Sequence, residues 1–331
     1  MKVLVTGGGG FLGRALVREL LARGHAVSSV SRQSHPELER DGVRTFQADV
    51  ADLARLAGAV EGHDAIVHAA ARAGIWGPAA DYVRANVEGT RNVLAAAQRH
   101  GVERLVHTSS PSVCFDGRDH LCAGNDLPYA TRFLCDYPRT KAIAERLVLG
   151  ANGHARLSTC VLRPHLLFGP GDPHLVPRLV ARAQAGRLVR IGKGTNEVGL
   201  TFVENAACAH ADALEALGPR ARHAGRAYFL AQKEPVKLWD WIAELLVRLG
   251  IEPPRRALPL GLAYATGAAC ELFWKLTRRQ GEPPMTRFVA LQLARSHSYD
   301  LGPAERDFGY RERVGLREAT ERLVASLRTG S

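Results

Sequence analysis

Tyr137 and Lys141 stand four residues apart in Tyr137-Pro138-Arg139-Thr140-Lys141. On a helix, positions i and i+4 share a face, so a phenol and an ammonium meet there. A free phenol titrates near ~10 and does little acid–base work at neutral pH. A neighbouring ammonium favours the phenolate and brings the group toward useful proton transfer. Ser109-Ser110 follows the apolar stretch Leu105 to Thr108. A serine hydroxyl at such a strand end can donate to a carbonyl, or to the alkoxide formed from it. The predicted catalytic set is therefore Tyr137 as proton donor, Lys141 as its partner and a serine of the Ser109-Ser110 pair as carbonyl anchor.

These groups need a partner to react with, and the start of the chain supplies its seat. Thr6-Gly7-Gly8-Gly9-Gly10-Phe11-Leu12-Gly13 lies directly behind Val3-Leu4-Val5. Lys2 to Thr6 reads as a buried strand, and Phe11 to Arg23 as a helix with Leu12, Leu16, Leu20 and Leu21 in phase. Gly7 suits a tight turn, Gly10 a close approach to a pyrophosphate, and Gly13 close contact of helix and strand. The helix N-terminus then offers free N–H groups to the phosphates. Thr6, Gly7, Gly10, Phe11, Leu12 and Gly13 are thus expected around a dinucleotide.

The following strand, His25 to Val30, ends in Ser31-Arg32-Gln33-Ser34. A carboxylate there would bind the ribose 2′-OH of NAD. Instead Arg32 can pair with a 2′-phosphate and Ser31 can donate to it, which predicts NADP(H) in preference to NAD(H). Asp49-Val50 closes the third strand, with a carboxylate in reach of the adenine amino group. Ala69-Ala70-Ala71 closes the fourth, where small side chains leave room for the cofactor. Tyr137 and Lys141 are expected at the nicotinamide ribose as well.

The elements that must hold these residues alternate. Strands are predicted near 2–6, 26–31, 43–47, 64–68, 103–108 and 156–163, with helices between them, including one from Asp81 to His100. This is an α/β chain: a Rossmann, doubly wound parallel sheet with a smaller, interleaved C-terminal substrate domain. Residues 1–163 form the NADP-binding domain, with returning segments near 200–230. Residues 164–331 form mainly the substrate domain. Helices are predicted over Leu175 to Gly186 and Val203 to Leu217, and a strand over Ala227 to Leu230.

Taken in order, TGxxGxxG, Asp49-Val50, His68-Ala69-Ala70-Ala71, Asn86, Thr108-Ser109-Ser110-Pro111-Ser112-Val113 and YxxxK resemble the extended short-chain dehydrogenase/reductases, and the TSSxxV match implies that Ser110 is the catalytic serine. Leu162-Arg163-Pro164 through Asp172 resembles that family's segment lining the nicotinamide end, which implies a contact from Pro164. Ala71 to Gly77, Gly281 to Phe288 and Arg306 to Tyr310 resemble its 3β-hydroxysteroid dehydrogenase branch, and within it the bacterial 2-alkyl-3-oxoalkanoate reductases of long-chain olefin synthesis. The resemblance implies NADPH-dependent reduction of a β-keto acid with two long alkyl arms, and a homodimer. A sterol-like substrate is the nearest alternative. A nucleotide-sugar epimerase or dehydratase fits less well, because Leu134, Leu166, Leu167 and Phe168 make the expected substrate side apolar. A non-catalytic NADP(H) sensor would have no use for serine, tyrosine and lysine together.

Composition bounds the rest. The 331 residues are 46% hydrophobic and carry a net charge of +11. The arginines are scattered and no nucleic-acid motif accompanies them, so no nucleic-acid partner is expected. Six cysteines lack CxxC spacing and read as reduced, buried thiols of a cytoplasmic protein. No metal site is expected from thirteen histidines without HxxxH or HExxH, and His68 and His107 read as core residues. With a strand starting at residue 2, no signal peptide is expected. Leu258 to Cys270 is nearly charge-free. It reads as a buried substrate-domain helix, with an alternative as an interfacial helix placing Phe273 and Trp274 among lipid headgroups. That alternative would make the protein peripheral to the inner face of the membrane. Contact with a pathway enzyme is a further option.

Overall fold

β1 (Lys2–Thr6) has Val3, Leu4 and Val5 with no exposed surface, as a central strand covered on both faces requires. Alternation along it sorts the core. Val3 and Val5 join the side holding Leu16 and Leu20, whereas Leu4 joins the side holding Leu56, Val93 and Leu94. The computed structural model describes residues 1–329. Alongside β1 lie β2 (Ala26–Ser31), β3 (Arg44–Gln47), β4 (Ala65–His68), β5 (Arg104–Thr108), β6 (Ser158–Pro164) and β7 (Arg226–Leu230). They form one parallel sheet in the order β7-β6-β5-β4-β1-β2-β3. The order reverses between β1 and β4, and at such a switch point the carboxyl ends of the strands open a crevice for ligands.

The helices that matter for the site are α1 (Phe11–Ala22), α2 (Gly89–Arg99), α3 (Asp136–Gly150), α4 (Val203–Ala216), α5 (Leu260–Thr277) and α6 (Arg287–Ala294). α4 lies against α1, where Arg23 reaches Asp212 and Glu215 at 2.8 Å each. β7 and α4 thus come from the second half of the chain yet build the nucleotide sheet and its cover. A second sheet orders Val236–Lys237, Glu197–Val198, His297–Tyr299 and His120–Ala123. Its last strand, which the sequence did not announce, ties the segment after Ser110 to the C-terminal half.

The helix expected from Asp81 to His100 is broken in phase. Ala79–Tyr82 is α-helical, Val83–Glu88 forms a π turn, and α2 follows. Asn86 on that turn accepts from the Arg72 N–H at 2.7 Å and donates to the Arg72 carbonyl at 3.2 Å and to the Thr140 hydroxyl at 3.0 Å. Gly89 then lets the helix close on Val50, whose Cγ2 would stand 2.6 Å from a Cβ.

Two expectations need correction. α5 is not buried: only Ala263, Gly267 and Glu271 are. All six cysteines are free, but only Cys114, Cys160 and Cys208 are buried; Cys135 and Cys270 are half-buried and Cys122 is exposed. No helix among the described residues is long and apolar enough to cross a membrane.

Candidate active site

The glycine turn is made by backbone meeting backbone. Gly7 adopts φ +75°, and its N–H donates to the Val30 carbonyl at 2.8 Å. A Cβ on Gly7 would lie 2.9 Å from Ala70 Cα, and one on Gly13 would overlap the Gly7 carbonyl. The Thr6 hydroxyl points inward, accepting from the Ala70 N–H at 3.1 Å and bonding His68 Nδ1 at 2.7 Å. Thr6 therefore pins the turn to the end of β4 and does not line the opening. Phe11, Leu12 and Gly13 form the first turn of α1, with Leu12 and Gly13 buried.

In front of the turn lies a cleft of about 780 Å³. Its walls include Gly7, Gly10, Ser31, Arg32, Asp49, Val50, Ala69, Ala70 and Ala71, all expected from the sequence. Gln33, His35, Arg72, Asp81 and Arg84 also line it and were not foreseen. Arg32 is exposed and has no carboxylate partner among the described residues. Asp49 is less free: it accepts from the Ala51 N–H at 3.0 Å and from Arg84 at 2.9 Å. His35 reaches Glu37 at 3.2 Å, whereas the Arg32 guanidinium on the same cleft wall has no carboxylate partner among the described residues.

The residues expected to be catalytic gather at the carboxyl end of β5. Cys135 is the extended residue before α3, and Pro138 sits in the first turn, where a missing N–H is harmless. Ser110 is extended, and its hydroxyl accepts from the Ser112 N–H at 3.2 Å. Lys141 is buried, donating to the Thr108 carbonyl at 2.5 Å and to His107 Nε2 at 3.2 Å. Burial, with Lys141 alongside, holds His107 neutral, so its ring can accept. Burial pushes the Lys141 ammonium down to about 8, against the pull of Glu145. Tyr137 runs against the simple expectation. Burial raises its phenol to about 12, and only the Ser110 hydroxyl counteracts this. The Lys141 ammonium is committed to β5, so the phenol is a held proton and not a ready base.

Residues 4–260 match the model of the 3-beta hydroxysteroid dehydrogenase/isomerase family. The chain belongs to that family. A 2-alkyl-3-oxoalkanoate reductase of Stenotrophomonas maltophilia is 48% identical over 328 residues, covering 98% of this chain and 99% of that one. A decarboxylating sterol-4-alpha-carboxylate 3-dehydrogenase of Mus musculus is 34% identical, covering 98% and 90%. The solved structure of MoeE5 in complex with UDP-glucuronic acid and NAD superposes with a TM-score of 0.76 at 27% identity, covering the whole of both chains. This member of the 3-beta hydroxysteroid dehydrogenase family is an oxidoreductase of the CH–OH/C=O type.

In this family member α3 has a buried support that sequence reasoning missed. Glu145, fully buried, continues the Tyr137–Lys141 face by one more i+4 step. Arg163 grips it through Nε at 3.1 Å and Nη2 at 2.5 Å, Ser109 donates to it at 2.5 Å, and Tyr129 at 2.8 Å. The Arg163 guanidinium also lies over the Phe229 ring at 4.9 Å. Pro164, the next residue, ends β6 opposite Leu230 and is not among the walls of the cleft. Phe168 is core and not pocket wall, its ring 5.6 Å from Phe202 and 5.4 Å from Trp241.

Proposed function

We propose that this chain reduces a long-chain 2-alkyl-3-oxoalkanoate to the 2-alkyl-3-hydroxyalkanoate with NADPH, as a homodimer peripheral to the inner face of the membrane. One arrangement carries the reading: the Ser110 hydroxyl and the buried Tyr137 phenol share a hydrogen bond past the carboxyl end of β5, the end of the sheet at which the glycine turn, with no room for side chains, lines a cleft. The 48% identity to a reductase of that name supports the substrate class.

The residues present fit a dinucleotide. α1 opens at Gly10 with no side chain capping its first N–H groups, which suits a pyrophosphate. Ser31 and the unpaired Arg32 line the same cleft, a hydroxyl and a guanidinium that suit a 2′-phosphate. A bound nicotinamide would supply the hydride. Ser110 donates to the substrate carbonyl oxygen and polarises it. Tyr137, kept protonated by burial, releases its proton to that oxygen as negative charge develops there. Lys141, held on Thr108 and His107, provides the positive charge that steadies the phenolate left behind.

The test follows NADPH and NADH oxidation by absorbance with a racemic long-chain 2-alkyl-3-oxoacid and a 3-ketosteroid, each in detergent. Oxidation of NADPH by the keto acid alone is the expected result. Turnover of the steroid alone moves the substrate to the sterol class. Silence with both, despite NADPH binding, overturns the reading.

A further inference from the structure

α5 is apolar nearly all round, a composition that belongs inside a protein, yet most of it faces water. Its packed stripe is narrow. Ala263, Gly267 and Glu271 recur every four residues. Gly267 admits the backbone of Thr286 and Arg287, since a Cβ there would lie 2.6 Å from the Thr286 carbonyl carbon. Glu271 binds the Arg287 guanidinium at 2.7 Å, so the one carboxylate of the helix is consumed on the packed side.

The opposite face is regular. Leu262, Ala265, Ala269, Leu272, Phe273 and Leu276 follow a three-four spacing, which places them on one line. Leu262 is 55% exposed, Leu272 58%, Phe273 49% and Leu276 75%. Side chains this large and this exposed, in one row, mark an interaction surface. Trp274 does not belong to the row. It is half-buried, and its indole nitrogen is shielded from water.

Charge identifies the occupant. Lys275, Arg278 and Arg279 are exposed at the C-terminal end of this row, and Arg256 is exposed ahead of its start. None of the four pairs with a carboxylate among the described residues, and Arg279 lies over the Phe273 ring at 5.7 Å. An apolar row with unpaired cations at both ends matches acyl chains below and phosphates beside them. We propose that the outward face of α5 docks on an anionic phospholipid surface, with Leu272, Phe273 and Leu276 below the headgroups and Lys275, Arg278 and Arg279 on the phosphates. This names the surface behind the membrane placement proposed above and does not depend on the identity of the substrate.

Flotation of the full chain with vesicles tests it. The protein should float with phosphatidylglycerol–phosphatidylcholine vesicles, less with phosphatidylcholine alone, and less as salt rises. The triple variant Leu272→Ser, Phe273→Ser, Leu276→Ser should lower the bound fraction roughly tenfold while its thermal melt and NADPH binding stay unchanged. Arg278→Gln with Arg279→Gln should remove the preference for anionic vesicles. Wild type that stays at the bottom of the gradient overturns the proposal. So does a triple variant that floats as before, or one whose only change is dissociation of a dimer, because a second copy would then be what covers α5. Flotation is read without substrate, so failure of the reductase reading leaves this result standing.

Discussion

At the glycine turn, backbone touches backbone. Gly7, Gly10 and Gly13 bring β1, β2, β4 and α1 into contact within one short stretch, and nothing but the absence of Cβ atoms makes it fit. On the Tyr137–Lys141–Glu145 face of α3 the fit is made by side chains from far apart in the chain. Lys141 is tied to β5, and Glu145 is tied to Ser109, Tyr129 and Arg163. The first kind of site fails by collision when anything is added. The second fails by unpaired charge when anything is removed.

Substitutions can separate the two regions. Tyr137→Phe should cut turnover by roughly 10²- to 10⁴-fold in steady-state kinetics while NADPH affinity, read by fluorescence titration, stays put. Equal losses of both would mean that the phenol is part of the cleft and not of the chemistry. Glu145→Ala should destabilise the fold by roughly 3–5 kcal/mol in urea unfolding, because it leaves the Arg163 guanidinium buried and alone. The pair Glu145→Met with Arg163→Met should recover most of that loss. If the single variant is as stable as wild type, the network is not what seats α3.

Gly13→Ala probes the opposite mode of failure. Overpacking against the Gly7 carbonyl should destabilise by about 1–3 kcal/mol and weaken NADPH binding together. Arg32→Ala should weaken NADPH by roughly tenfold, about 1.4 kcal/mol, and leave NADH untouched. A further prediction concerns pH. Burial depresses Lys141 from its ordinary 10.5 to about 8, so the unfolded chain binds the extra proton between those values. Stability gained from this group is therefore full above 10.5, and is lost as pH falls to about 8. Thermal melts across that range should rise with pH in wild type, and Lys141→Met should remove that component.

The turn was readable because its information is local. A glycine spacing between a strand and a helix names both the fold and its ligand-facing edge, and Ser31, Arg32, Asp49 and Ala69 to Ala71 fall on the cleft as their strand ends dictate. What escaped was long-range. Nothing near Arg163 in sequence says that it meets Glu145, although the i+4 step from Lys141 was a usable sign. Composition said that α5 is apolar, but not which way it faces. The four-residue recurrence of Ala263 and Gly267 held the clue that only a thin stripe is packed. Thr6 was placed on the correct turn with its hydroxyl turned the other way, because a polar group at a strand end has two equally near partners: a ligand outside and a backbone N–H inside.

The π turn at Val83–Glu88 has a consequence for how this helix tolerates change in length. It holds one residue more per turn than the α-helix around it, so the segments on either side are about 100° out of phase. Tyr82 and Arg84 are addressed by one frame, Thr90 and Val93 by another, and Asn86 sits at the junction. Deleting a single residue there would restore a regular helix. It would also rotate everything upstream away from the Arg72 loop, uncoupling that loop from α3 while every strand kept its place.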